Sequence, residues 1–178
     1  MNILGALYLF LPGYFANAIP PLLARVPWLR QWGAPIDCGL SWRNKRLLGE
    51  NKTWRGAIGA VLIGGLVFLG QRLLAAQGFM LGDAPFSTLP SWYGFLLGAG
   101  VIVGDALESF VKRRANIPPG KLWVPFDQID FTLGGVIATA WVFWPGWSVL
   151  AILIVINGLG SALAHYLGYL LGINEEKF

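Results

Sequence analysis

Apolar residues run along this chain in long blocks rather than in stripes, and polar residues gather in a few short stretches between them. Residues 2–24 carry no charge. Further blocks cover about 54–76, 91–111, 127–144 and 148–172, each close to the ~20 residues that a helix needs to cross a bilayer. The pattern predicts an all-α polytopic membrane protein of five transmembrane helices in a single domain, 1–178. Pro12, Pro20 and Pro21 should kink or end the first helix, because proline lacks the N–H of the helical ladder. The turns fall at Pro118-Pro119-Gly120 and Pro145-Gly146. Two polar loops remain, 26–53 and 112–126.

Composition agrees. The hydrophobic share is 56%, against roughly 45–50% in soluble domains, and charged residues make up 12%, against about 25%. Mean hydropathy is +0.60. The single cysteine, Cys38, rules out an internal disulfide, so stability must come from helix packing. Glycines four apart, at Gly94 and Gly98, Gly100 and Gly104, and Gly168 and Gly172, suit close helix–helix contact in lipid. His165 reads as an interior hydrogen-bonding residue, and Trp28, Trp32, Trp92 and Trp144 as an interfacial belt.

The placement of charge gives orientation. Twelve of the 13 Lys and Arg residues fall on one face of the predicted topology, seven of them between Arg25 and Arg55; only Arg72 falls on the other. By the positive-inside rule the N-terminus is outside, the C-terminus is cytoplasmic, and both polar loops face the cytoplasm of a cell membrane. No basic segment precedes the first apolar block, so it does not read as a cleaved signal peptide. Nucleic acid is not an expected partner; anionic headgroups and phosphorylated substrates are.

Charged residues inside the predicted spans carry the chemistry. Asp105, Glu108, Ser109 and Lys112 stand at i, i+3, i+4 and i+7, on one face of helix three. Asp105 lies ~9 Å below the predicted end of that helix, where a carboxylate needs a cation and a wet cavity. Asp127 and Asp130 open helix four with the same i, i+3 spacing. Four carboxylates at the cytoplasmic ends of adjacent helices would repel one another without cations between them, and hard oxygen ligands suit Mg²⁺, one ion or two bridging a triphosphate. Each piece has a plainer reading: Asp127 as a helix cap, Glu108 with Lys112 as a surface pair. Asn51-Lys52-Thr53-Trp54-Arg55-Gly56 starts helix two, with Thr53 as its N-cap and with dipole, free N–H groups and Lys52 available to a phosphate, or serves only as a capped, positively flanked helix start. Arg43, Lys45 and Arg46 meet either substrate or lipid headgroups.

These residues also carry a resemblance. Gly104-Asp105-x-x-Glu108 followed by Ser109-Phe110-Val111-Lys112-Arg113 resembles the opening of the signature of CTP:phosphatidate cytidylyltransferases, and Asp127-x-x-Asp130 resembles its closing D-R-x-D. Lys52-Thr53-Trp54-x-Gly56 resembles their K-T-W-x-G segment. The middle section with K-D and H-G-G is absent, and Gln128 stands where an arginine is expected; both departures, with the short chain, resemble the archaeal branch, the CDP-archaeol synthases. The resemblance implies a Mg²⁺-dependent transfer from CTP to 2,3-bis-O-geranylgeranylglyceryl phosphate, or to phosphatidic acid. Asp105, Glu108, Asp127 and Asp130 are then expected to hold two divalent ions. Asn51, Lys52, Thr53, Ser109, Lys112, Arg113 and Lys121 face the nucleotide, and Asn44, Lys45 and Arg46 contact nucleotide or lipid phosphate. The prenyl chains would lie in a groove open sideways to the bilayer. Expected partners are CTP, a prenylated glycerol phosphate lipid and membrane lipids, with a homodimer left open. A CDP-alcohol phosphotransferase would need D-G-x-x-A-R, which is absent, and a transporter would need ionisable groups near the midplane and two related halves.

Overall fold

The computed structural model describes residues 1–118, 121 and 123–170. The His165 side chain, the Pro119-Gly120 turn, Gly172 and Lys177 lie outside the described residues. Among the described residues, six α-helices account for the five apolar blocks: α1 (Ile3–Leu9), α2 (Leu11–Arg25), α3 (Trp54–Ala76), α4 (Tyr93–Arg114), α5 (Phe126–Thr139) and α6 (Trp147–Leu170). Between α2 and α3 lie a 3₁₀ turn, Pro27–Trp32, and a hairpin of two short strands, β1 (Ser41–Trp42) and β2 (Lys45–Arg46).

The first block is one helix broken at Phe10, with a bend of 40°. Pro12 has no N–H to continue the ladder, and the Gly13 N–H turns back to the Phe10 carbonyl (2.8 Å). Pro20 and Pro21, by contrast, ride inside α2 without ending it. Helix α3 has the bounds predicted for the second block. Helix α4 continues past residue 111 to Arg114, because Lys112, Arg113 and Arg114 suit the negative end of a helix dipole. Helix α5 stops at Thr139 rather than near 144. The Thr139 hydroxyl donates back to the Gly135 carbonyl (2.9 Å), and the N–H groups of Val142 and Phe143 both close on the Thr139 carbonyl (2.9 Å each).

Among the described residues, α3 and α4 are each long and apolar enough to cross a membrane, the α1–α2 pair makes a third candidate, and α6 is apolar over Trp147–Leu163. Leucines such as Leu66 (61% exposed) and Leu159 (67%) point outward, a surface that water would penalise and acyl chains solvate.

Helix α4 is the centre of the bundle, packed between α3 and α5. Glycine sets both contacts. A Cβ on Gly98 would stand 2.6 Å from the Ala60 carbonyl oxygen of α3. On the opposite side, a Cβ on Gly104 would overlap the Asp130 carbonyl oxygen of α5, and one on Gly134 would overlap the Gly100 carbonyl oxygen. Backbones this close are available only without side chains. The Gly94–Gly98 and Gly100–Gly104 pairs are therefore packing residues, each pair serving a different neighbour. A buried polar chain ties α2, α5 and α6 together, with Tyr14 Oη donating to Asn157 Oδ1 (2.7 Å) and Asn157 Nδ2 donating to Thr132 Oγ1 (2.8 Å).

Candidate active site

The contact of Gly104 with Asp130 places the acidic face of α4 against the start of α5. One carboxylate oxygen each from Asp105, Glu108 and Asp130 lies within 4.8 Å of the other two. Three like charges at this separation are unstable alone, so the chain supplies cations. Lys52 Nζ lies 2.6 Å from Asp105 Oδ2. Lys112, buried in the helix that carries Glu108, lies 3.1 Å from Glu108 Oε1 and 2.7 Å from Asp127 Oδ2. Helical spacing of four residues makes the first of these pairs, and the packing of α5 on α4 makes the second.

Asp127 differs from the other three carboxylates. Its Oδ2 accepts from Lys112 and from the Trp123 N–H (2.9 Å), and it stands outside the three-carboxylate cluster. The expected group of four is thus a group of three, with Asp127 holding the lysine between α4 and α5. Glu108 Oε1 is buried with the Lys112 ammonium as its neighbouring cation (3.1 Å). The three clustered carboxylates of Asp105, Glu108 and Asp130 offer hard oxygen donors of a kind and number that fit Mg²⁺.

Three cavities meet at the cluster. A polar one of 220 Å³ is lined by Leu48–Lys52 of the first loop and by Ser109, Lys112 and Arg113 beside the carboxylates. A wider cleft of 630 Å³ adjoins it through Asn51, Lys52 and Asp105, and carries Arg25, Arg30 and Arg55. On the other side of α4, an apolar groove of 610 Å³ runs between α4 and α5 from Leu96 and Ala138 to Glu108 and Asp130. The carboxylates therefore stand where an apolar groove ends and a polar space lined by both acids and bases begins.

Thr53 caps α3 as expected, its hydroxyl accepting from the Gly56 N–H (3.2 Å). The helix start is less open to a phosphate than its sequence suggests, since the Trp54 N–H is taken by the Ala34 carbonyl (3.0 Å). What it presents is the dipole and Lys52. Asn44, Lys45 and Arg46 line none of these three cavities. Arg43 and Asn44 are the two turn residues of the hairpin, both at positive φ (52° and 60°), as a two-residue turn of this hand requires. Lys45 Nζ donates to the Arg114 carbonyl (3.2 Å), and Arg46 pairs with Asp37 (2.8 Å). Lys121 stands in the second loop, its N–H donating to the Pro118 carbonyl (3.3 Å).

Burial works against the charge of Asp37. The Arg46 guanidinium and the N–H groups of Leu48, Gly49 and Gly39 outweigh it and hold the carboxyl well below the usual carboxylate range. Asp37, Gly134 and the Arg25–Arg30–Arg55 wall are contributions that the linear pattern did not single out. The three arginines were legible only as topology-setting charges, because their convergence depends on α2 packing against α3.

The model of the family described as "CarS-like: CDP-archaeol synthase" matches residues 1–178. A CDP-archaeol synthase of Thermococcus kodakarensis is 39% identical over 145 residues, covering 76% of this chain and 72% of that protein. That of Methanopyrus kandleri is 36% identical over 173 residues, covering 95% and 90%. A solved structure, described as an intramembrane enzyme for archaeal membrane lipids biosynthesis, superposes with a TM-score of 0.73 at 28% identity, covering 92% of this chain and 94% of its own.

Proposed function

The chain belongs to the CDP-archaeol synthase family, and from that membership we propose that it transfers the cytidylyl group of CTP to 2,3-bis-O-geranylgeranylglyceryl phosphate. An oxygen of the lipid phosphate bonds to the α-phosphorus of CTP, the bond from that phosphorus to the bridging oxygen of the β-phosphate breaks, and pyrophosphate leaves. The attacking oxygen is already anionic, so no strong general base is needed. The barrier lies in bringing two polyanions together, which calls for cations and fixed positions.

The observation that carries this reading is the meeting of the apolar groove and the polar, mixed-charge cavities at Asp105, Glu108 and Asp130. The prenyl chains take the groove between α4 and α5, open to the acyl region. The triphosphate takes the polar cavity, where Lys52, Lys112 and Arg113 oppose its charge, and the nucleoside extends into the wider cleft. Asp105, Glu108 and Asp130 would hold Mg²⁺, which when bound neutralises and polarises phosphate oxygens. Lys112 keeps Glu108 and Asp127 from repelling each other, and so fixes α5 against α4.

Five spans, with the N-terminus outside and the site opening to the cytoplasm, complete the reading. The clustering of Arg25, Arg30, Lys52 and Arg113 around the cavities supports that orientation.

The test is turnover of the purified protein in detergent with CTP, Mg²⁺ and either the geranylgeranylated lipid phosphate or phosphatidic acid. Pyrophosphate release should require lipid and metal together and favour the ether lipid. Asp130→Asn should abolish it while the protein elutes as wild type. A fully active Asp130→Asn enzyme would remove the metal assignment, and equal rates on both lipids would remove the ether-lipid assignment.

A further inference from the structure

The polar cavity has one wall that no helix supplies. Residues Leu48–Lys52 form it, and they belong to a loop that must be held in place from outside. Two side chains that line none of the three cavities do the holding. Arg114, the last residue of α4, donates from Nη1 to the Trp42 carbonyl (2.7 Å) and from Nη2 to the carbonyls of Lys45 (3.2 Å) and Arg46 (2.6 Å). Lys45 Nζ returns a bond to the Arg114 carbonyl (3.2 Å). The Trp42 ring stacks on Phe110 with centroids 6.2 Å apart, and the Arg114 guanidinium lies 4.9 Å from the Phe110 ring centroid.

On the inner side of the hairpin, the Asp37 side chain is fully buried. It accepts from Arg46 Nη2 (2.8 Å) and from the N–H groups of Gly39 (3.0 Å), Leu48 (3.0 Å) and Gly49 (3.2 Å). The loop then closes beside α3, where the Ile36 N–H donates to the Lys52 carbonyl (2.8 Å), and Lys52 reaches Asp105. A continuous set of contacts thus runs from Arg114 through the hairpin and Asp37 to the wall of the cavity.

We propose that Arg114 and Asp37 are positioning residues for the nucleotide side of the site, governing CTP affinity without touching substrate. The substrate named here rests on the function proposed above; the mechanical link does not. Arginine is required at 114 because a planar fork of five N–H donors can serve three carbonyls at once, whereas a lysine ammonium has fewer donors and no plane to stack on aromatic rings.

Arg114→Lys and Asp37→Asn should each raise the KM for CTP about tenfold, the equivalent of about one charge-assisted hydrogen bond. The KM for lipid should stay unchanged and kcat within about threefold of wild type, because the apolar groove lies on the other face of α4. The chain's one cysteine, Cys38, is exposed and adjoins Asp37, so a nitroxide placed on it reports loop mobility without any turnover. Its spectrum should be broad in the wild type and narrow in Arg114→Ala, with Arg114→Lys between.

An unchanged spectrum in Arg114→Ala would overturn the proposal. So would a loosened loop with an unaltered KM for CTP, or an equal rise in KM for both substrates. A wild-type protein without CTP turnover would sink the proposed function instead, and the nitroxide spectra would still decide whether Arg114 holds the loop.

Discussion

Adding one methyl group at Gly104 tests the link between helix packing and chemistry. A Cβ there would overlap the Asp130 carbonyl oxygen and stand 3.0 Å from Gly134 Cα and 3.1 Å from the Asp130 carbonyl carbon. Carbon contacts settle near 3.5–4.0 Å, so α5 must withdraw by on the order of 1 Å or slide along α4. Two terms compete in stability. Alanine is a better helix former than glycine by about 1 kcal/mol, and overpacking costs about 1–3 kcal/mol, so the net loss should not exceed about 2 kcal/mol. Activity is more sensitive, because the displaced element carries Asp130 away from Asp105 and Glu108, and a misplacement of about 1 Å costs roughly 100-fold. Gly104→Ala should therefore remain folded, by gel filtration and circular dichroism in detergent, while pyrophosphate release falls about 100-fold. Gly70 in α3 is the control. A Cβ there meets nothing within 4 Å, so Gly70→Ala should leave turnover unchanged and stabilise by about 1 kcal/mol. Near-normal turnover in Gly104→Ala would refute the argument that this contact sets the carboxylate geometry, as would an equal loss in Gly70→Ala.

Removing the Lys112 ammonium leaves Glu108 and Asp127 facing each other in a buried space, at a cost of about 3 kcal/mol. Lys112→Met should unfold earlier in an SDS titration, and adding Asp127→Asn should recover more than half of the loss; no recovery would mean that the pair is not the cause. Acid acts on the loop through Asp37. Its folded carboxyl titrates below the ordinary value, so the stability it contributes is fully present above about 3.9, the unfolded carboxylate value, and is lost only as pH falls through the lower folded value. A nitroxide on Cys38 should accordingly stay immobile from neutral pH down to about 4, and a loosening midpoint above that value would contradict the buried, multiply bonded carboxylate.

The apolar blocks, the one-sided distribution of bases and the i, i+3, i+4, i+7 face of α4 are local properties, each readable from a few neighbouring residues. They were enough to outline helix α3 to its end residues and to place Asp105, Glu108, Ser109 and Lys112 on one side of a helix, whereas the reaction on a lipid phosphate came from the resemblance those motifs carry. Periodicity did not reveal where α5 would stop, because the sequence stays apolar through Trp144 while the backbone already leaves the helix at Thr139, whose carbonyl takes the N–H groups of both Val142 and Phe143. Nor did it reveal that Asp130 joins Asp105 and Glu108 while Asp127 is spent on Lys112. Spacing decides which side chains share a face. Which two faces meet, and at what register, is decided by backbones that touch at Gly100, Gly104 and Gly134, and by a loop whose anchors, Asp37 and Arg114, are remote in sequence. Such contacts form only when chain segments far apart in sequence are brought together, so the alignment of one helix on another belongs to the tertiary structure alone.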